Sequence, residues 1–211
     1  MTYADTRMNV RYGASKAIAM VEAMMRSTMW RRIDVVGTDA CSVNRNGTSR
    51  VISGMAVYVV ENSPVRIAYS VTCNDEWVCS AATVQRWIGA DRVDLVLVKQ
   101  DDGTWTSNDK VVDAVDELLD IDLGFTPATN TNTNTNAIKR LQLGIGDQAE
   151  FTAVWLDDET WTFKPLKQRY ERLNENTYRY TSINSGYEAN LTVDGFGFVR
   201  VYPEYWKAVI A

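Results

Sequence analysis

The chain contains no histidine. Its absence removes the commonest general base near neutral pH and the commonest transition-metal ligand. Ser-His-Asp and Cys-His catalysis are thereby excluded, and any enzyme chemistry would fall to carboxylates, Lys, Tyr or Cys. Cysteine is scarce and odd in number. Cys41, Cys73 and Cys79 show no CxxC spacing, so neither a disulfide framework nor a zinc site is suggested. Cys73 falls in an alternating apolar pattern and reads as a buried, inert thiol in a reducing compartment. Positive charge is not in excess either. Lys and Arg total 22 against 27 Asp and Glu, and they are scattered, which argues against a nucleic-acid partner and against a polybasic membrane patch. No apolar run approaches the ~20 residues of a transmembrane helix. The glycine-rich phosphate-binding and dinucleotide motifs and G-x-S-x-G are missing, so neither cofactor nor metal is expected.

What is present is a chain of 211 residues, long enough for one domain with a substantial core. Six methionines, Met1, Met8, Met20, Met24, Met25 and Met29, crowd its first part. From Ser15 the spacing of Ala17, Ile18, Val21, Met24 and Met25 predicts an amphipathic helix with Ser15 as N-cap. Glu22 breaks the apolar run a signal peptide would need, and the expectation is a cytoplasmic protein. Translation starting at Met29 would leave 1–28 as an extension and 29–211 as a single domain.

Beyond Met29 the texture is one of short alternating segments. Ile67, Tyr69, Val71 and Cys73 alternate with polar or small residues, as do Tyr187, Ala189, Leu191 and Val193, the pattern of half-buried strands. Further strands are expected at 51–61, 76–88, 92–100, 149–156, 160–164, 177–183 and 197–202. Val93 to Val98 is apolar on both faces and reads as central. Asn46-Gly47, Asp101-Asp102-Gly103 and Asp194-Gly195-Phe196-Gly197 supply hairpin turns. Short helices fit 111–119, part of 134–142, and Tyr205–Val209. The class is mainly β and mostly antiparallel, because no helices long enough for repeated crossovers intervene.

One stretch concentrates polar groups. Asp120 and Asp122 would share a strand face with side chains roughly 7 Å apart. Such a pair can hold a cation, divide acid and base roles on a glycan, or simply pair with Arg140, Arg169 or Arg179. Asn and Thr then alternate from Asn130 to Asn136. The tract reads as a solvated loop, with Asn134 or Asn136 capping a short helix near Ala137. Seven Trp and ten Tyr residues supply amphipathic surface, by default for the core.

The order of these motifs resembles the bacterial glycolipid-binding protein family, formerly a domain of unknown function. The resemblance is carried by Asp120-Ile-Asp122-Leu123, Thr126-Pro127, Thr129-Asn130-Thr131 and Ile138-Lys139-Arg140-Leu141. Around them Trp30-Arg31, Asp75-Glu76-Trp77, Gln168-Arg169-Tyr170, Tyr178-Arg179-Tyr180 and Val201-Tyr202-Pro203 fall in the family's order. Three departures stand out: Cys79 occupies a position that is usually Arg, the Asn/Thr tract is longer, and the segment before Met29 has no counterpart. The resemblance implies a spiral β-roll, a large mostly antiparallel sheet wrapped around one helix. It also implies non-catalytic binding of a glycolipid or related amphiphile, with acyl chains between the curved sheet and its helix. Asp120, Asp122, Asn130, Thr131, Arg140, Tyr170 and Trp77 are the candidate ligand contacts, and no catalytic residue is assigned. Two alternatives stay open: a carboxylate enzyme acting on glycans through Asp120 and Asp122, and an interaction module that forms a homodimer or meets a protein partner.

Overall fold

The computed structural model describes residues 25–124 and 130–210, the side chains of 130–132 excepted. The helix expected from Ser15 and the Thr126-Pro127 turn lie outside these residues. Eight strands run as an antiparallel meander: β1 (Met25–Arg32), β2 (Gly37–Asn46), β3 (Ser49–Val60), β4 (Ser63–Asn74), β5 (Cys79–Ile88), β6 (Asp91–Lys99), β7 (Trp105–Ser107) and β8 (Lys110–Val111). After β9 (Asp120–Asp122) and helix α1 (Asn130–Leu141), a second antiparallel meander follows. It comprises β10 (Gln148–Asp157), β11 (Thr162–Asn174), β12 (Thr177–Ser182), β13 (Tyr187–Val193), β14 (Val199–Tyr202) and β15 (Trp206–Ala208). The two meanders join where β1 pairs with β15, so all fifteen strands form one sheet with β8 and β9 at its ends.

The sheet rolls until its last strand meets its own interior. Just before β9, the Leu119 carbonyl accepts a hydrogen bond of 2.8 Å from Cys79 N–H at the start of β5. β9 pairs parallel with β10, the one parallel ladder in the sheet. Parallel neighbours cannot be joined by a tight turn, and α1 is the crossover that this pairing requires. The helix therefore lies inside the roll. Asn136 meets Cys73 of β4, Thr133 meets Asp122 of β9, and Tyr170 of β11 meets Asn134. The mainly β class and the sheet wrapped around a single described helix agree with expectation.

Alternation sets the register. Val65, Ile67, Tyr69, Val71 and Cys73 are buried along β4, and Ala189, Leu191 and Val193 along β13. A one-residue slip would turn each set to solvent, which is what locks the pairing. Asn46 faces Ser49 across a two-residue hairpin in which Gly47 takes φ +61°.

Several local expectations give way. Residues 113–117 form turns rather than a helix, with Ala114 and Glu117 in the left-handed region. The segment expected to be helical at 205–209 contains β15, because β1 offers it a partner: Trp30 faces Ala208 and Arg32 faces Trp206. The strand expected to stop at residue 164 runs to Asn174. Pro165 is tolerated there because β12 joins β11 only from Gln168 onward, leaving no ladder bond for the missing N–H to break. β6 is not central. Val96 and Val98 are exposed on the outer face of the roll, which no described helix covers. β1 begins at Met25, so residues 25–28 pair with β2 ahead of Met29.

Inside the roll, Gly54 of β3 leaves room for a buried polar pair. The Tyr69 hydroxyl donates to Asp39 at 3.0 Å, and a Cβ on Gly54 would fall 2.2 Å from that hydroxyl. Gly54→Ala is expected to push Tyr69 off Asp39 and destabilise the fold by about 1–3 kcal/mol, read from the shift in the urea unfolding midpoint.

Candidate functional site

The Asn/Thr tract is the first half of α1 and not a solvated loop. Asn and Thr are indifferent helix formers, so the helix owes its existence to tertiary partners more than to propensity. Asn134, Thr135 and Asn136 are almost wholly buried. Each buried polar side chain needs a partner, and the sheet supplies them. The Asn136 amide donates to Asp120 Oδ1 at 3.1 Å and its carbonyl accepts from Cys73 Sγ at 3.1 Å. Thr133 Oγ1 donates to Asp122 Oδ1 at 3.2 Å, and the Tyr170 hydroxyl donates to Asn134 Oδ1. Lys139 and Arg140 in the last turn complement the negative end of the helix, which closes at Gln142 with φ +45°.

Asp120 and Asp122 project from β9 toward this helix and have different partners. Asp120 is held by Arg140 through two bonds, Nε to Oδ1 at 2.9 Å and an NH2 group to Oδ2 at 2.6 Å. Burial still leaves its carboxyl somewhat above the usual range, against the lowering effect of Arg140. Among the described residues no cation pairs with Asp122. It accepts from Thr133 and, through Oδ2, from Gln168, and burial pushes its pKa from 3.8 up to about 6, with Asp120 adding to the rise. Arg169 and Arg179, the other expected partners, pair instead with Glu150 and with Glu171 and Glu188 on the sheet.

Asp120, Asp122, Arg140 and Tyr170 thus converge, as the sequence suggested, but mostly on one another. Tyr170 is consumed inside the network: buried, stacked at 5.7 Å on Phe151, and with its hydroxyl pushed well above the ordinary range by burial. Trp77 is placed apart. Its residue takes φ +65°, and its ring meets Phe196 at 6.2 Å, with Arg50 over it at 5.0 Å. Cys79, which stands where the resemblance expects Arg, is buried with its sulfur 3.4 Å from that of Cys73. Asn130 and Thr131 open α1, and their side chains lie outside the described residues. Among the described residues no cluster of three or more acidic or Cys side chains could hold a metal ion.

Sequence reasoning missed a cavity of about 600 Å³ on the β10–β15 side of the roll. Its closed end is formed by Asp122, Tyr180, Ser182, Tyr202 and Trp206, all buried. Trp155, Tyr187 and Tyr205 make half-buried walls, and Lys164, Pro165, Asn184 and Ser185 form an exposed mouth. The rings touch in series: Tyr170–Tyr180 at 5.3 Å, Tyr180–Tyr202 at 6.5 Å and Tyr202–Tyr205 at 5.8 Å. Gly124 continues the wall after β9, and Trp155 lies so close that a Cβ there would fall 1.9 Å from its Nε1. No described residue of α1 belongs to the lining. One signal was available in the sequence, the period-2 recurrence of Tyr178, Tyr180 and Ser182, but six further strands contribute and nothing in one chain pairs them.

Fold and cavity together define a class: a single rolled sheet around one polar helix, with a tyrosine-rich cavity beside it. The chain belongs to the family described as "Putative glycolipid-binding", whose model matches residues 27–208. A DUF1089 family protein from Pseudomonas aeruginosa is similar in fold, with a TM-score of 0.63 at 23% identity over 87% of this chain and 91% of that one. No curated protein matches. Among the described residues no helix is long and apolar enough to cross a membrane.

Two outcomes test the network. Arg140→Leu leaves a buried carboxylate without its cation and is expected to cost about 3–5 kcal/mol, most of it recovered in the double variant with Asp120→Asn. Asp122 behaves oppositely. Its folded pKa lies above the unfolded one, so its contribution to stability is full below about pH 4 and is lost as pH rises through about 6. Asp122→Asn stays neutral, and relative to the parent it should gain up to about 3 kcal/mol between pH 4 and pH 7. Urea unfolding at pH 4, 5.5 and 7 reads that difference.

Proposed function

We propose that the protein binds an amphiphile of the glycolipid kind without transforming it, in the cavity that ends at Asp122. The observation that carries this reading is the cavity itself: about 600 Å³, walled by Trp and Tyr rings, with polar groups at its closed end. That size lies within the range of ~300–1,000 Å³ typical of small-ligand sites, and aromatic walls with a few placed polar groups suit a molecule with both apolar and hydroxyl-bearing parts. Family membership supports the same ligand class. The acid pair expected of a glycan-cleaving enzyme is not arranged as one, because Asp120 is committed to Arg140 and only Asp122 borders the cavity.

Native mass spectrometry of the full chain after incubation with a bacterial lipid extract is expected to reveal an amphiphile adduct. Ser185→Trp, placed at the exposed mouth, should remove the adduct while leaving the melting temperature nearly unchanged. A parent protein that acquires no adduct, or a variant that acquires it equally, would sink the assignment.

A further inference from the structure

We propose that the cavity takes the uncharged sugar of its ligand, head group first, and leaves the lipid chain outside. This rests on the amphiphile reading above and specifies which part of the molecule enters. Polar groups stand at the closed end as well as at the mouth, and those at the closed end are buried. Asp122 lies there with Ser182, which accepts a hydrogen bond of 2.9 Å from Ser185 Oγ and is itself hydrogen-bonded to the Tyr180 hydroxyl. The Tyr202 and Tyr187 hydroxyls are paired with each other on the wall. Trp206 is fully buried at the same end, and its Nε1 has no hydrogen-bond partner among the described residues. A buried indole N–H costs stability unless something accepts from it. A hydrocarbon tail pushed into this end would satisfy none of these groups and would strip water from the Asp122 carboxyl.

A sugar ring matches them. Among the described residues each Asp122 oxygen accepts one hydrogen bond, from Thr133 and from Gln168, and a carboxylate oxygen has room for another. Two neighbouring ring hydroxyls can donate there, while the ring's C–H face lies against Tyr or Trp. The charge of the lining selects against anionic heads. Asp122 and Asp158 both border the cavity, and Lys164, the one cation among the described lining residues, is held by Asp157 at 2.7 Å. A phosphate or fatty-acid carboxylate would meet the Asp122 carboxyl with no cation at liberty among the described lining residues, a like-charge arrangement that suppresses the wrong partner.

Calorimetric titration of the full chain below micellar concentrations separates the possibilities. The probes are hexyl, octyl and decyl β-D-glucoside, octyl phosphate and octyltrimethylammonium. The three glucosides are expected to bind within about threefold of one another, since a chain left outside gains little. A buried chain would instead tighten binding by roughly fourfold per methylene, more than a hundredfold from hexyl to decyl. Octyl phosphate should bind at least about tenfold more weakly than octyl glucoside, and the gap should shrink in Asp122→Asn/Asp158→Asn. A steep chain-length dependence, or octyl phosphate or octyltrimethylammonium binding as tightly as the glucoside, overturns the proposal and leaves amphiphile binding intact. If no probe binds to a protein that does acquire an amphiphile from extract, the sugar assignment alone falls. If neither experiment finds a ligand, both readings fall.

Discussion

A polar helix enclosed by a β-sheet is the constraint on which the rest of this structure depends. Asn and Thr side chains that would be solvated on an ordinary surface helix are buried here, and burial without partners would cost roughly 1–3 kcal/mol for each orphaned group. The roll answers with a dedicated set of acceptors and donors. Asp120, Asp122 and Tyr170 come from β9 and β11 at one end of the sheet, and Cys73 from β4, which is far from them in sheet order and meets the same helix only because the sheet curls. Arg140 then neutralises one of the two carboxylates, Asp120. Helix and roll are interdependent: without the helix the carboxylates are stranded, and without the curl the helix has no partners.

The two Asp residues show how position within that network separates structure from chemistry. Both sit on one short strand and both are buried. Asp120 lies over the last turn of α1, within reach of a guanidinium, and serves the fold. Asp122 lies opposite Thr133, about two turns before Arg140, where no cation of the described residues pairs with it, and it borders the cavity. Desolvation without a counter-charge among the described residues accounts for its raised pKa.

Much of the fold was legible from alternation. β4 and β13 could be read residue by residue, because one face of each is buried and the other is not. Legibility failed where partners decided the outcome. β15 became a strand because β1 lay open to it, and β11 continued through Pro165 because its neighbour starts later. The Asn/Thr tract was misread in part: a helix was expected within 134–142, but it begins at Asn130. Its composition resembles a loop in any local scale, and only the parallel β9–β10 pairing makes a helix necessary at that place. The candidate site was half visible. Asp120, Asp122, Arg140 and Tyr170 were identified together and pairing with Arg140 was among the expectations, but the bond from Tyr170 to Asn134 was not, and Trp77 lies in a separate aromatic corner.

By itself the sequence determined the mainly β class, the absence of histidine chemistry, the strands whose faces alternate, and the motif order that the family shares. These are properties of neighbours along the chain, or of composition, and need no folding to be read. Tertiary structure alone decided that the polar tract would be buried, that one Asp would face an arginine and the other a cavity, and that residues from seven strands would enclose that cavity. The reason is physical. Burial, counter-charge and enclosure depend on which distant strands the curl of the sheet brings together, and local pattern carries no record of that curvature.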